Sequence, residues 1–406
     1  MPQPRAVVVG AGIGGLAAAA ALHRRGWAVT VLERARSLEP VGAGIALAPN
    51  AQRALDVVGL GDAVRAMSAR QDEGGLRTPS GRWLSRTTQQ AAAERFGGPV
   101  VVAHRPDLVA LLASRLPEGA LRTGTPAEVT DPGTGERPAT VRTADGEELT
   151  ADLAVAADGL RSATRHTLFP GHPGPRYAGF TAWRFVVPAP ERPFAPHETW
   201  GRGTLWGTVP LHDGRVYAYA TATVPAGGRA PDGERAELLR RFGGWHRPVP
   251  ELIAAAPDDA VLRNDVYRIA EPLPAHHRGR TALLGDAAHA MAPNLAQGGC
   301  QALEDAVVLA HHAAPDAAGT PRALAAYTRD RLPRTTEVVR RSARVARLAG
   351  VSAGPLRALR DTALAAVGRF GPGPALRSLD GIADWRPPEP YAAGAHGTSP
   401  AGADRG

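Results

Sequence analysis

Two observations predict an α/β fold with a Rossmann-like nucleotide-binding domain, an inserted mixed β-sheet domain and a C-terminal helical segment. First, three segments each follow a short apolar run: GAGIGG at Gly10 to Gly15, ADGLRSATR at Ala157 to Arg165 and GDAAHAMAPNLAQGG at Gly285 to Gly299. Second, residues 171 to 277 lose the alanine-rich helical texture and carry FTAWRFVV, TLWGTVPL and RVYAYATATV instead. Strand–turn–helix units read as a parallel sheet, and clustered strands as a separate layer. Residues 1–75, 98–170 and 278–330 then build the nucleotide fold, 76–97 and 171–277 the inserted sheet, and 331–385 the helical segment; 386–406 reads as a disordered tail, rich in Pro, Gly and Ala.

Ala6 to Val9 is a β-branched strand that enters Gly10, and Gly15 leads into LAAAAALHRRG, a strong helix former. Gly10 permits the turn, Gly12 lets backbone approach a pyrophosphate, and Gly15 lets helix and strand pack closely. The helix N-terminus supplies N–H groups and a favourable dipole for the phosphates. Trp27 to Leu32 forms the second strand and ends at Glu33, placed to accept from a ribose hydroxyl. An acid there disfavours a 2′-phosphate, so the resident dinucleotide is FAD or NAD rather than NADP. GAGIAL at Gly42 does not complete a second fingerprint. One dinucleotide is held permanently, and a second binds elsewhere or transiently.

Ala151 to Ala157 is a further strand, ending at Asp158 and Gly159, and Thr281 to Leu284 another, ending at Gly285 and Asp286. Ligands collect at the carboxyl ends of parallel strands, which sets Gly10, Asp158 and Asp286 along one rim. A loop of small residues with Pro293, Gly298 and Gly299 leads into QALEDAVVLAHH, a helix whose N-terminus can face the ligand. In the insert, alternation sets Arg215, Tyr217, Tyr219 and Thr221 on one face of a strand and Val216, Ala218, Ala220 and Ala222 on the other.

GxGxxG with Glu33 and Arg34, GAGIALAPNAQRALDVVGL at Gly42 to Leu60, HRPDL at His104 to Leu108, the DG segment, and GDAAHxxxPxxxxGG with ALEDA together resemble the class A FAD-dependent monooxygenases, the aromatic hydroxylases. The resemblance covers residues 5 to 330. It implies tightly bound, non-covalent FAD, NADPH or NADH as transient co-substrate, and dioxygen, which adds to reduced flavin so that a flavin hydroperoxide hydroxylates an electron-rich carbon. It assigns Glu33 to the adenosine ribose, Arg105 and Asp286 to the pyrophosphate and ribityl region, and Gly298, Gly299 and Cys300 to the isoalloxazine edge. Asp158, Gly159 and Arg165 would support FAD and the approach of NAD(P)H, and Pro293 would sit where oxygen reacts. Pro293, Arg184 and Tyr217 are the candidates at the reacting centre, and Trp183, Leu205, Trp206 and Tyr219 the candidate substrate lining. The protein's share is orientation and water exclusion, so no acid–base dyad is expected.

Within that family the chain is most similar to the FAD-dependent urate hydroxylases, yet Leu205 stands where that branch places a substrate arginine and Asn294 where it places an acid. Unpaired polar groups of a purine in a dry pocket would cost roughly 1–3 kcal/mol each. The expected substrate is a larger, more apolar aromatic or polycyclic molecule. Epoxidation or oxygen insertion on the same cofactor, and an oxygen-independent flavin reductase, stay open.

Composition sets further bounds. No run of 18 apolar residues exists, so no membrane span is expected, and the single cysteine, Cys300, suits a reducing cytoplasm. His276–His277 and His311–His312 lack further ligands at metal spacing, so no metal is expected. All 47 basic side chains are arginine, for a net charge of +8. Arg340, Arg344 and Arg347 share one helical face, read as solvated, with a dimer contact or an anionic substrate tail as alternatives. Nucleic acid is not an expected partner, since no aromatic interleaving accompanies the charge. A monomer or homodimer acting on a small molecule is the expectation.

Overall fold

A computed structural model of the chain describes residues 3–38, 43–69 and 73–389. A six-stranded sheet runs in the order His277–Arg278, Thr281–Leu283, Leu153–Ala156, Arg5–Val9, Ala28–Leu32, Leu121–Arg122. All neighbours pair in parallel except the His277–Arg278 edge. Ala6, Val7, Val8 and Val9 are all buried, as a strand covered on both faces requires. On one face the alanine-rich helix Ile13–Arg24 is buried throughout its first ten residues, wedged against helix Gly298–His312. Small residues allow this approach: a Cβ on Gly15 would lie 1.9 Å from the Gly10 carbonyl oxygen. The other face is covered by a three-stranded antiparallel sheet, with Val129 and Val141 packed on Val7 and Val9.

The inserted sheet has seven strands in the order Leu262–Ile269, Pro175–Pro188, Arg215–Ala222, Thr204–Pro210, His197–Trp200, Glu73–Arg77, Trp83–Thr88. It therefore starts at Glu73, just ahead of the boundary at residue 76 read from composition. Helices Glu234–Phe242 and Val249–Ala254 cover its outer face. Tyr217 on its inner face abuts Gly44 of the nucleotide domain, where a Cβ would lie 2.5 Å from the tyrosine ring.

The boundary drawn at residue 331 does not exist: Thr320–Ala349 is one 30-residue helix that passes through Pro333. It is held by charge. Arg331 is 1% exposed and bonds Glu304 (Nη1 to Oε2, 2.5 Å) and Asp305 (Nε to Oδ1, 2.6 Å), both fully buried on helix Gly298–His312. Arg334 adds a bond to Glu304 at 2.6 Å, and His289 meets Asp305 Oδ2 at 2.5 Å. Asn50 and Gln301 amides donate to Glu304, and the Gly285 N–H donates to Asp305. Helix Gly354–Gly368 follows and packs on the Trp83–Thr88 strand. Of the tail read as disordered, residues 390–406 lie outside the described residues.

Removing one partner of a buried, hydrogen-bonded ion pair leaves an uncompensated charge, at about 3–5 kcal/mol. Arg331→Leu is expected to lose stability on that scale in urea titration, against less than about 1 kcal/mol for the exposed pair variant Arg86→Leu.

Burial, with His289 alongside, holds His276 uncharged and pushes its pKa down to about 3 from the ordinary 6.5. Between those values the unfolded chain binds the extra proton, so this contribution to stability is full above pH 6.5 and is lost as pH falls. The slope is about 1.4 kcal/mol per pH unit. Urea midpoints measured from pH 7 to pH 4.5 are expected to fall more steeply for the wild type than for His276→Gln, the difference isolating this residue.

Candidate active site

The groove at the carboxyl ends of the central strands is built by backbone. Gly10 has φ +103°, a left-handed value that favours glycine, and its N–H donates to the Leu32 carbonyl at 2.8 Å. A Cβ there would also strike the Ala157 carbonyl oxygen at 2.4 Å. Gly12 caps helix Ile13–Arg24 and nothing stands within 4 Å of where its Cβ would be; Gly159, with φ +78°, is equally open. Glu33 braces this turn, accepting from the Ala11 N–H at 2.7 Å and the Ala35 N–H at 2.9 Å. Arg34 is exposed at the end of the second strand.

Val9, Ala156 and Leu283 are in register on adjacent strands, so the loops bearing Gly10, Asp158 and Asp286 leave the sheet side by side. Asp158 accepts from the Thr164 N–H through Oδ2, while its buried Oδ1 has no partner. Arg165 ties the two later loops together, donating to the carbonyls of Leu160 and Ala287. Asp286 is exposed between buried neighbours at the start of a short helix. Arg105 opens helix Arg105–Ala113, and its pKa is lowered, by burial first, then by Arg184, against the pull of Asp286. Two guanidinium groups thus face one groove.

Pro293 opens a 3₁₀ turn ending at Ala296, which holds φ +52°, a strained value for a residue with a Cβ. The turn delivers Gly298 and Gly299 to the first turn of helix Gly298–His312, whose leading N–H groups have no intrahelical acceptor. Cys300 follows them with its side chain fully buried: Sγ lies 3.4 Å from the Ala46 and Ala296 carbonyls, and burial pushes the thiol up to about 12.

The inner face of the inserted sheet carries Arg184, Leu205, Tyr217 and Tyr219. The Arg184 Nη2 donates to Asn264 Oδ1 at 2.9 Å, and the Tyr217 and Tyr219 rings lie 5.5 Å apart. Burial raises the Tyr217 phenol to about 12, partly offset by Arg184 and Arg105. Trp183 and Trp206 do not line this face, contrary to expectation. Both belong to the outer cluster with Phe185 and Phe242, where Trp183 donates to Glu234 and Trp206 to Thr208. The period-2 alternation that turns Leu205 inward turns Trp206 outward.

Sequence reasoning missed Glu198. Its carboxylate accepts from the Tyr219 hydroxyl at 2.7 Å and from Trp200 Nε1 at 3.0 Å, and burial pushes its pKa up. Strand His197–Trp200 is four residues long, too short to register as a periodic pattern, although Glu198 stands opposite Gly207 in a face shared with Leu205.

A cavity of about 600 Å³ lies between the inserted sheet, the Pro293 turn and the long helix. Phe180, Thr204, Thr221, Ala292, Asn294 and Ala346 contribute to its walls. Arg268, Arg340, Arg344 and Arg347 also line it, so the exposed arginine face of the long helix borders this cavity as well as solvent. Among the described residues no group of three or more His, Cys, Asp or Glu could hold a metal ion, and no helix is long and apolar enough to cross a membrane.

The groove fits FAD: it is open above Gly12 and Gly159, Asp158 keeps a buried oxygen free to accept, and two helix N-termini and Arg105 offer donors to an anion.

Comparison with known proteins agrees with this reading. Residues 4–342 match the family described as FAD binding domain. The chain is 41% identical over 345 residues to the aurachin C monooxygenase/isomerase of Stigmatella aurantiaca, covering 84% of this chain and 88% of the relative. It is 35% identical over 311 residues to an FAD-dependent urate hydroxylase of Klebsiella pneumoniae, covering 75% and 80% of the two chains. A crystal structure of a Klebsiella pneumoniae protein complexed with FAD and uric acid superposes with a TM-score of 0.83 at 30% identity, covering 94% and 96%. The chain belongs to the class A FAD-dependent monooxygenases, the aromatic hydroxylases, and is an FAD-binding enzyme of that kind.

Proposed function

We propose that the enzyme uses NADPH or NADH and dioxygen to hydroxylate a largely apolar, electron-rich aromatic or polycyclic substrate held in the 600 Å³ cavity. The observation that carries this reading is the cavity wall, where Phe180, Ala292 and Ala346 offer apolar surface, Thr221 shares its strand face with Tyr217 and Tyr219, and Asn294 stands without a carboxylate. A volume of that size takes a drug-sized molecule. The similarity to an aurachin C monooxygenase/isomerase supports an oxygenated substrate other than urate.

FAD, when bound, supplies the activation of dioxygen. The chain's residues hold and shield it. Gly10, Gly12 and the helix N-terminus at Ile13 would cradle the pyrophosphate, Glu33 and Arg34 would hold the adenosine end, and Asp158, Gly159 and Asp286 would hold the ribityl side. Arg105 and Arg184 repel one another in the free groove, and an anion between them relieves that repulsion. Gly298 and Gly299, in the first helical turn, would offer N–H groups to the ring, and the Pro293 turn would form the adjoining wall. Tyr217, whose hydroxyl stays protonated, is a donor for a substrate oxygen, while Leu205 and Phe180 exclude water.

Gly12→Val is expected to fold with an unchanged apoprotein urea midpoint, since nothing meets a Cβ there, and to lose at least tenfold in FAD affinity by fluorescence titration. Retained affinity would remove the pyrophosphate from this turn.

NAD(P)H oxidation by the FAD-loaded protein, followed together with oxygen uptake and peroxide across phenols, indoles and alkenes, tests the activity. One compound is expected to accelerate both oxidation and oxygen uptake without matching peroxide, and its product separates hydroxylation from epoxidation. Tyr217→Phe should keep FAD and lose about tenfold in coupled turnover, the scale of one hydrogen bond. Equal turnover of that compound without oxygen would replace the proposal by a reductase.

A further inference from the structure

Six large apolar side chains stand exposed among the described residues, and five of them, Leu348, Leu356, Leu359, Val367 and Phe370, fall within 23 consecutive positions. Leu356 is 59% exposed, Leu359 67% and Phe370 83%. Their spacing of three, eight and three residues, through Val367, forms a single stripe along helix Gly354–Gly368 and just past its end. The adjoining face of that helix is firmly seated. Arg360 is buried, donates to the Gly201 and Ala349 carbonyls and lies over the Trp200 ring, Leu364 joins the cluster with Leu205, and a Cβ on Gly368 would strike the Leu84 carbonyl oxygen at 2.3 Å. The stripe is therefore displayed on a fixed support. The exposed Leu348, on the preceding helix, falls between Arg347 and Ala349, both of which line the cavity wall.

Charge indicates what covers it. Residues 340–370 hold seven arginines and one acid, Asp361, which is engaged by Arg360. Arg340, Arg344 and Arg347 are exposed on the preceding helix and Arg369 beside Phe370, and among the described residues only Arg344 of these nears a carboxylate, Glu337 at 3.7 Å. A second copy packed about a two-fold axis would press this arginine rim against its own like. Residues 390–406 of this chain contain no Leu, Ile, Val, Met, Phe or Trp with which to cover a stripe of leucines. A bilayer with anionic headgroups answers both halves of the surface, accepting the apolar stripe below the headgroup level and the arginines at it.

We infer that the segment Leu348–Phe370 seats the protein on an anionic membrane surface, with the cavity opening beside the contact. This inference does not depend on the reaction proposed above.

The test is flotation of the FAD-loaded full chain with vesicles of phosphatidylcholine and phosphatidylglycerol at three to one, against phosphatidylcholine alone. The wild type is expected to float with the anionic vesicles and at least tenfold less with the neutral ones. The triple variant Leu356→Ser, Leu359→Ser, Phe370→Ser, altered only at exposed positions, is expected to keep its urea midpoint and lose at least tenfold in vesicle partition. No flotation, or flotation indifferent to phosphatidylglycerol or to the triple substitution, overturns the inference. So does a wild-type dimer by light scattering that the triple variant converts to monomer, which would assign the stripe to a second copy.

Discussion

Glu304 and Asp305, adjacent on one helix and shut away from water, set the terms for the molecule around them. Two neighbouring carboxylates in a dry interior are tolerable only with cations close by and every lone pair engaged. Arg331 and Arg334 come from the long helix and His289 from the short helix after strand Thr281–Leu283, while Asn50 arrives from the segment before the inserted sheet. Four separate stretches of chain are thus brought to one point. The cofactor groove follows from this, because the Gly285 loop and the N-terminus of helix Gly298–His312 are the outer ends of the elements so joined.

The same electrostatic logic, reversed in sign, governs the groove. Where the core neutralises every charge, the groove leaves cationic groups facing one another: Arg105 loses proton affinity to burial and to Arg184, and the exposed Asp286 is the carboxylate set against it. Helix N-termini at Gly12 and Gly298 add partial positive charge of the same sense. An anionic dinucleotide is the natural counterpart of such a surface, and its phosphates complete an arrangement that the protein alone leaves unbalanced.

The rim of the groove is legible in the sequence because its causes are local. An apolar run, a glycine that must adopt a left-handed φ and a following helix former sit within a dozen residues, as at Ala6 to Leu22. What escapes is long-range. Alternation in TLWGTVPL separates Leu205 from Trp206 but does not say which face meets the cofactor domain; that is decided by Phe242 and Leu252 from helices packed on the outer side. The basic stretch after residue 330 reads as solvated, since nothing local reveals that Arg331 answers a carboxylate 26 residues earlier. Glu198 is hidden for a similar reason, its partner Tyr219 standing two strands away across the sheet.

One residue's step along the inserted strands separates two kinds of duty. Trp206, Val216 and Ala218 hold the outer core together, while Leu205, Tyr217 and Tyr219, their immediate neighbours in the chain, lie on the inner face. The side chains that face the nucleotide domain and those that hold the outer layer can therefore change separately, so that recognition and folding are written on alternate positions of the same strands.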